Sequence, residues 1–229
     1  MTARITPYNP LIVALDSDDR TQVTDWAEAL AGEVGLLKVG LQAFVSHGPA
    51  LVSEVAGHAP VFLDLKFHDI PNTVAGAAAA AAALGVTMLT VHASGGPHMV
   101  AVAAKAAPDT AILAVTVLTS MDVTALQMVG QRPVQEQVPA LALMAVETGA
   151  AGVVCAAGEI EAVRAVIGPD PLIVVPGIRP EGSSLDDQAR TATPAQAILN
   201  GASHLVVGRP ITQAADPVTA ARAITASLT

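Results

Sequence analysis

Aromatic side chains and cysteine are nearly absent from this sequence, and cations are few. Trp, Tyr and Phe together make up 2% of the 229 residues, so aliphatic side chains, chiefly Ala, Val and Leu, must fill any core. The one cysteine, Cys155, cannot form an internal disulfide. It fits a reducing, cytoplasmic setting and reads as a small buried hydrophobe, because no nucleophile signature with His and Asn accompanies it. Only 11 Lys and Arg face 20 Asp and Glu, giving a net charge of −9. No basic patch for nucleic acid is expected, and the positions of the few cations matter more than their sum. A signal-peptide layout is missing from the N-terminus. The uncharged stretch from Val74 to Val91 is mostly Ala and is interrupted by Gly85, which suits a buried helix followed by a strand better than a membrane span. There is no HExxH pattern and no cysteine cluster, and the histidines with a place near strand ends, His92 and His68, are too few to make a metal site the expectation.

What the chain does have is apolar mass: 52% hydrophobic residues against 14% charged ones, which excludes disorder. Eight short β-rich runs recur: Leu11–Asp16, Leu36–Gly40, Val61–Phe67, Met88–His92, Ile112–Leu118, Gly152–Ala156, Leu172–Ile178 and His204–Arg209. Runs this continuously apolar predict a parallel sheet covered by helices. Helices are predicted from a cap at Asp18 or Asp19 to about Ala31, from a cap at Asn72 or Thr73 to Gly85, over Gln135 to Thr148, over Pro194 to Asn200, and over Pro217 to Leu228. With no linker or composition break, the expectation is an α/β fold, a (β/α)8 TIM barrel forming a single domain over 1–229. A doubly wound open sheet is the alternative, but no Gly-rich fingerprint follows the first run.

The densest chemistry lies in Asp64-Leu-Lys66-Phe-His-Asp69-Ile-Pro-Asn72-Thr73. Asp64 and Lys66 are two apart in a strand and share a face. Leu63, Leu65 and Phe67 suit the helix layer, so Asp64 and Lys66 should point into the barrel near the strand's C-terminal end, where barrel active sites are built. By the same alternation Lys38 points inward between Leu37 and Val39, and Asp16 closes the first run. Buried charges are rare unless paired, and a purely structural ion network has a high desolvation cost, so this convergence reads as a functional site. Pro176-Gly-Ile-Arg179 and Gly208-Arg209 end the seventh and eighth runs, a recurrent phosphate position in barrels. Gly208 lets backbone N–H groups approach an anion and Arg209 can grip it bidentately. The polar stretch Arg179 to Thr193, containing Gln188, reads as a lid over such a ligand.

These residues resemble the orotidine 5′-monophosphate decarboxylase family. The ten residues from Asp64 to Thr73 look like its signature, and VALD (13–16), LKVG (37–40), TVHASGG (90–96), VTVLTSM (115–121), VPGIRP (175–180) and VVGRPI (206–211) agree along nearly the whole chain. The resemblance implies a (β/α)8 fold, conversion of orotidylate to uridylate and CO2 in pyrimidine biosynthesis, no cofactor, no metal, and a homodimer with shared sites. It further implies a charged tetrad of Lys38, Asp64, Lys66 and Asp69 with Lys66 as proton donor. Asp69 and Thr73 would enter the partner's site. Asp16 and Lys38 would hold the ribose hydroxyls, Thr119 the pyrimidine, and Arg179, Gln188, Gly208 and Arg209 the phosphate, beside Pro176.

The chemistry gives these types a reason. Losing CO2 from C6 of the pyrimidine leaves a carbanion in the ring plane, where the π system delocalises it poorly, and no electron sink is evident in the sequence. An ammonium beside C6 stabilises the developing charge and then protonates it. Two alternatives stand beside this reading. Metal-dependent sugar-phosphate decarboxylases and aldolase-like synthases share the shorter Asp-x-Lys-x-x-Asp pattern, though not the Ile-Pro-Asn-Thr extension. A non-catalytic phosphate-binding barrel would keep Gly208 and Arg209 but has little use for the tetrad.

Overall fold

A computed structural model describes residues 9–179 and 192–228. Eight parallel strands close into a barrel in chain order. They are β1 (Leu11–Ala14), β2 (Leu36–Gly40), β3 (Val61–Phe67), β4 (Met88–His92), β5 (Ala111–Val115), β6 (Gly152–Val154), β7 (Leu172–Val175) and β8 (His204–Val207). Each lies within or overlaps one of the eight apolar runs. Several end sooner than expected: Asp16, Pro176 and Gly208 lie in the loops just beyond the last strand residue, Arg209 opens a short helix after β8, and Thr119 and Arg179 lie further along the loops after β5 and β7.

The period-two alternation divides the core. Ile12, Ala14, Leu36, Phe62, Met88, Leu113, Val174 and Val206 fill the barrel interior. Their neighbours Leu11, Val13, Leu37, Val39, Leu63, Leu65 and Val91 belong to the outer layer under the helices. Phe62 is the one aromatic residue among those interior side chains, so the barrel is packed mainly by branched aliphatics. Cys155 is buried beside β6, and burial, with the Glu159 carboxylate nearby, pushes its thiol up out of the nucleophilic range.

Asp19, of the two expected caps, starts the helix Arg20–Ala29, its carboxylate accepting from Thr21 N and Gln22 N. The Ala-rich helix Pro71–Ala82 starts differently from expectation. Neither Asn72 nor Thr73 caps it; Ile70 holds that position and Pro71 takes the first turn. Proline has no N–H to leave orphaned and its fixed φ suits that site. This helix is also less buried than expected: Val74, Ala78 and Ala81 face inward, while Gly76, Ala79 and Ala80 are exposed. Gly85 follows with φ 75°, a left-handed turn that glycine takes without strain. The helices Val134–Glu147, Pro194–Leu199 and Pro217–Ala226 lie within a residue or two of expectation. Leu41–Ala56, Pro97–Ala106, Val123–Met128, Ile160–Ile167 and the short Arg209–Thr212 add to them. Among the described residues no helix is long and apolar enough to cross a membrane.

One strand pair is irregular. Leu63 pairs with Leu89 and Phe67 with Val91, so β3 takes four steps where β4 takes two. The extra residues form a bulge at Asp64–Lys66, a feature known to re-aim side chains beside active sites. Lys66 has φ 52°, the only positive φ of a non-glycine residue among those described.

Candidate active site

A cavity of about 670 Å³ opens at the C-terminal ends of the strands. Lys38, Asp64 and Lys66 line one side of it, and Pro176, Gly177, Arg179, Gly208 and Arg209 line another. A second cavity of about 570 Å³ lies at the opposite end of the barrel, where Asp109 and Asp170 are the charged groups among mostly small apolar side chains. The chemistry is therefore concentrated at the first.

Four charges alternate along its floor. Lys38 Nζ lies 3.0 Å from Asp16 Oδ1 and 3.7 Å from Asp64 Oδ2. Lys66 Nζ donates to both Asp64 oxygens, at 2.8 and 2.9 Å. The Thr90 hydroxyl, from β4, donates to Asp64 Oδ1 at 2.9 Å, and Thr90 Oγ1 in turn accepts from Lys66 N at 2.9 Å. Burial pushes the Asp64 carboxyl up, but Lys38, Lys66 and the Thr90 hydroxyl outweigh it and hold the group below the usual carboxylate value. Gly40 makes room for this arrangement: a Cβ there would lie 2.8 Å from Asp16 Oδ1 and 2.9 Å from Lys38 Nζ.

Asp69 stands apart. It is exposed after β3, its carboxylate accepts from Ile70 N at 2.6 Å, and it lines no part of the cavity. Thr73 is exposed in the first turn of Pro71–Ala82. Thr119, half-buried in the turn after β5, is not among the lining residues either. Of the expected cluster, then, Asp16, Lys38, Asp64 and Lys66 come together within one chain, and Asp69, Thr73 and Thr119 do not join them.

The opposite wall is built from two loop starts. Arg179 is buried; its Nη1 donates to Ile178 O at 3.3 Å, and its N–H bonds Ala192 O at 3.1 Å. An isolated parallel bridge between Ile178 and Ala192 ties together the two ends of the polar stretch. Gln188 and the body of that stretch lie outside the described residues. Gly177 has φ 74°, which lets the chain turn sharply after β7. A Cβ on Gly208 would meet only Ala14 Cβ at 3.6 Å, an ordinary contact, so the protein itself leaves space above this backbone. Arg209 is exposed at the start of its short helix and lines the cavity.

His68 and His92 face each other with ring centroids 5.4 Å apart. Burial, then the neighbouring His68 and Lys66, lower the His92 value and favour its neutral form. Among the described residues no group of three or more His, Cys, Asp and Glu is placed to hold a metal ion. Sequence reasoning passed over Gln22, Trp26, Gln42 and Gln213, which also line the cavity. Thr90 was passed over too, although the alternation of Met88, Thr90 and His92 carries the signal that puts it on the inner face.

Fold and site together define a (β/α)8-barrel enzyme with a paired Lys/Asp cluster facing an anion-suited loop pair. Residues 9–224 match the model of the Orotidine 5′-phosphate decarboxylase / HUMPS family, and the chain belongs to that family. An orotidine 5′-phosphate decarboxylase of Anaeromyxobacter sp. (strain K) is 54% identical over 225 residues, covering 97% of this chain and 99% of that one. One from Thermobifida fusca is 52% identical, covering 96% of this chain and 95% of its own. Among solved structures, the orotidine 5′-phosphate decarboxylase of Lactobacillus acidophilus superposes with a TM-score of 0.86 at 39% identity, covering 96% of this chain and 99% of that one.

Proposed function

We propose that this protein decarboxylates orotidine 5′-monophosphate to uridine 5′-monophosphate and CO2 in de novo pyrimidine biosynthesis. In this reading residues 1–229 form a single catalytic domain that works without a cofactor or metal, as a cytoplasmic homodimer. The observation that carries it is Lys66: its ammonium is anchored on both oxygens of Asp64 at the edge of a cavity whose far wall holds Arg179, Gly208 and Arg209. The names of the relatives supply the substrate.

The phosphate would sit against Gly208, Arg209 and Arg179, with Pro176 beside it and Gln188 closing over it. Asp16 and Lys38 would take the ribose hydroxyls. This leaves the pyrimidine toward Lys66, whose positive charge stabilises the carbanion left at C6 as CO2 departs. Lys66 then donates its proton to that carbon. Thr119 would contact the base. Asp69 and Thr73 would complete the partner's site. Their exposure outside the cavity supports that assignment, as does the 67% exposure of the apolar Ile70 between them.

The direct test follows the ultraviolet absorbance of orotidylate with metal-stripped protein and chelator, beside a Lys66→Ala control. A steady change toward uridylate, lost in the variant, supports the reading. No change with folded protein overturns it and turns attention to metal-supplemented sugar phosphates. Phosphate binding remote from the reacting carbon can drive catalysis. Arg209→Ala should therefore lower activity on orotidylate about 10- to 100-fold, the worth of a charge-assisted hydrogen bond. It should change little on a substrate lacking phosphate, and equal losses on both substrates would refute that role.

A further inference from the structure

The bulge in β3 leaves a gap in the β3–β4 ladder opposite one residue. Leu89 and Val91 pair with Leu63 and Phe67, so Thr90 alone faces the stretch Asp64–Lys66. Its side chain is completely buried. The hydroxyl does two things at once: it accepts from Lys66 N and donates to Asp64 Oδ1, both at 2.9 Å. Lys66 is also the residue held at φ 52°, a conformation that an L side chain keeps only when its surroundings impose it.

We infer that Thr90 is a positioning residue for the reaction: its hydroxyl, bridging the Lys66 backbone and the Asp64 carboxylate across the bulge, sets the direction in which the Lys66 ammonium points. The inference rests on the decarboxylase reading. Only a hydroxyl is both donor and acceptor in so small a volume. A methyl in its place leaves the Lys66 N–H without this acceptor inside the gap and frees Asp64 to turn. The ammonium, fixed by that carboxylate, turns with it. Misplacement of a reacting group by a fraction of an ångström is enough to slow chemistry without weakening substrate binding.

The test compares Thr90→Val, which keeps shape, with Thr90→Ser, which keeps the hydroxyl. In steady-state assays Thr90→Val should lower kcat about 10- to 100-fold with KM within about threefold, and Thr90→Ser should stay within about threefold of the parent. The acid limb of the kcat–pH profile should move to higher pH in Thr90→Val. There Asp64 loses a donor to its charged form while its other neighbours, Lys38, Lys66 and His92, are unchanged. Filling space alone would move neither kcat nor that limb. A Thr90→Val protein with parental kcat, a serine variant as impaired as the valine one, or an unmoved acid limb would each overturn the inference. If Thr90→Val does not fold, Thr90→Ala takes its place with the same expectations. Amide exchange at Lys66, slow in the parent and in Thr90→Ser but fast in Thr90→Val, reads the bridge without turnover. A parent inactive on orotidylate would count against the proposed function, and this exchange would still decide the role of Thr90.

Discussion

Replacing Asp64 by Asn keeps the shape of the side chain and removes one charge from between two ammonium groups. Asp64 lies 3.7 Å from Lys38 Nζ and 2.8 Å from Lys66 Nζ, with side-chain exposures of 15% for Asp64, 9% for Lys38 and 29% for Lys66. With an effective dielectric constant of about 20, those separations correspond to gross attractions of about 4 and about 6 kcal/mol. Most of this is cancelled by the desolvation of the three groups. The net direction is nonetheless clear, because the Asp64 carboxyl sits below its ordinary value despite burial. Lys38 keeps Asp16 at 3.0 Å, but that carboxylate is 53% exposed and compensates weakly. The expected loss is about 2–3 kcal/mol at neutral pH, the lower side of what breaking a buried pair costs, since Lys66 is partly solvated. For a chain of this length it corresponds to a fall in Tm of about 5–10 °C. A carboxylate with a depressed folded value stabilises above its unfolded value of 3.8, and that contribution fades as pH falls through the folded value. Urea unfolding of parent and Asp64→Asn should therefore differ at pH 7, and the gap should narrow at about pH 3. A variant as stable as the parent at pH 7 would refute the reasoning. It would mean that desolvation outweighs attraction and that the cluster is held together at the expense of stability.

Two further predictions concern groups outside the reacting centre or at its margin. His204 is buried at the start of β8, and burial brings its value down from 6.5 to about 4, so it folds neutral. The unfolded chain binds the extra proton first, and stability should fall as pH drops from 6.5 toward 4. The loss amounts to about 3 kcal/mol over that window, and His204→Leu should lack it in urea unfolding at several pH values; an unchanged pH slope would count against this. Gly40→Ala places a methyl against the ends of Asp16 and Lys38, both of which can move. We expect Tm within a few degrees of the parent and KM raised about tenfold as the ribose contacts shift, whereas an unaltered KM would show that the pair does not bind substrate.

How much could be read in advance depends on whether a feature is local to one strand or shared between two. The inward aim of Lys38, Asp64 and Lys66 follows from alternation with Leu37, Val39, Leu63 and Leu65, because a strand's faces are set by its own sequence. The eight apolar runs were legible for the same reason, and their closure into a barrel follows from the regular βα alternation. Strand ends were overextended because Ile178 and Arg209 continue an apolar or β-compatible pattern after the ladder has stopped. The helix Leu41–Ala56 was harder to see. Gly48, at φ 67°, and Pro49 interrupt it, and each marks a helix end by its usual meaning. Pro71 is a weak signal for this helix start because polar Asn72 and Thr73 beside it look like better caps. The bulge could not be read at all, since it exists only as a difference in step between β3 and β4. With it went Thr90, whose role is defined by what it bridges.

The site's position within so apolar a chain has a physical logic. Four charged side chains run in the order Asp16, Lys38, Asp64, Lys66, each next to one of opposite sign. Alternation lets a barrel mouth built from aliphatic residues hold them without a net local charge, which no arrangement of like neighbours would allow. Apolar side chains of similar volume would still be easier to bury, so fold stability alone does not explain the cluster. Nor does it explain Lys66, where a glycine would adopt the backbone without strain and an extended residue would continue the ladder. Strain, bulge and paired charge fall on the same residue. Each has a cost that packing elsewhere must cover, and each acts to place one ammonium at the cavity edge. The coincidence is what singles out Lys66, ahead of the other inward-facing polar residues, as the group the barrel is arranged to present.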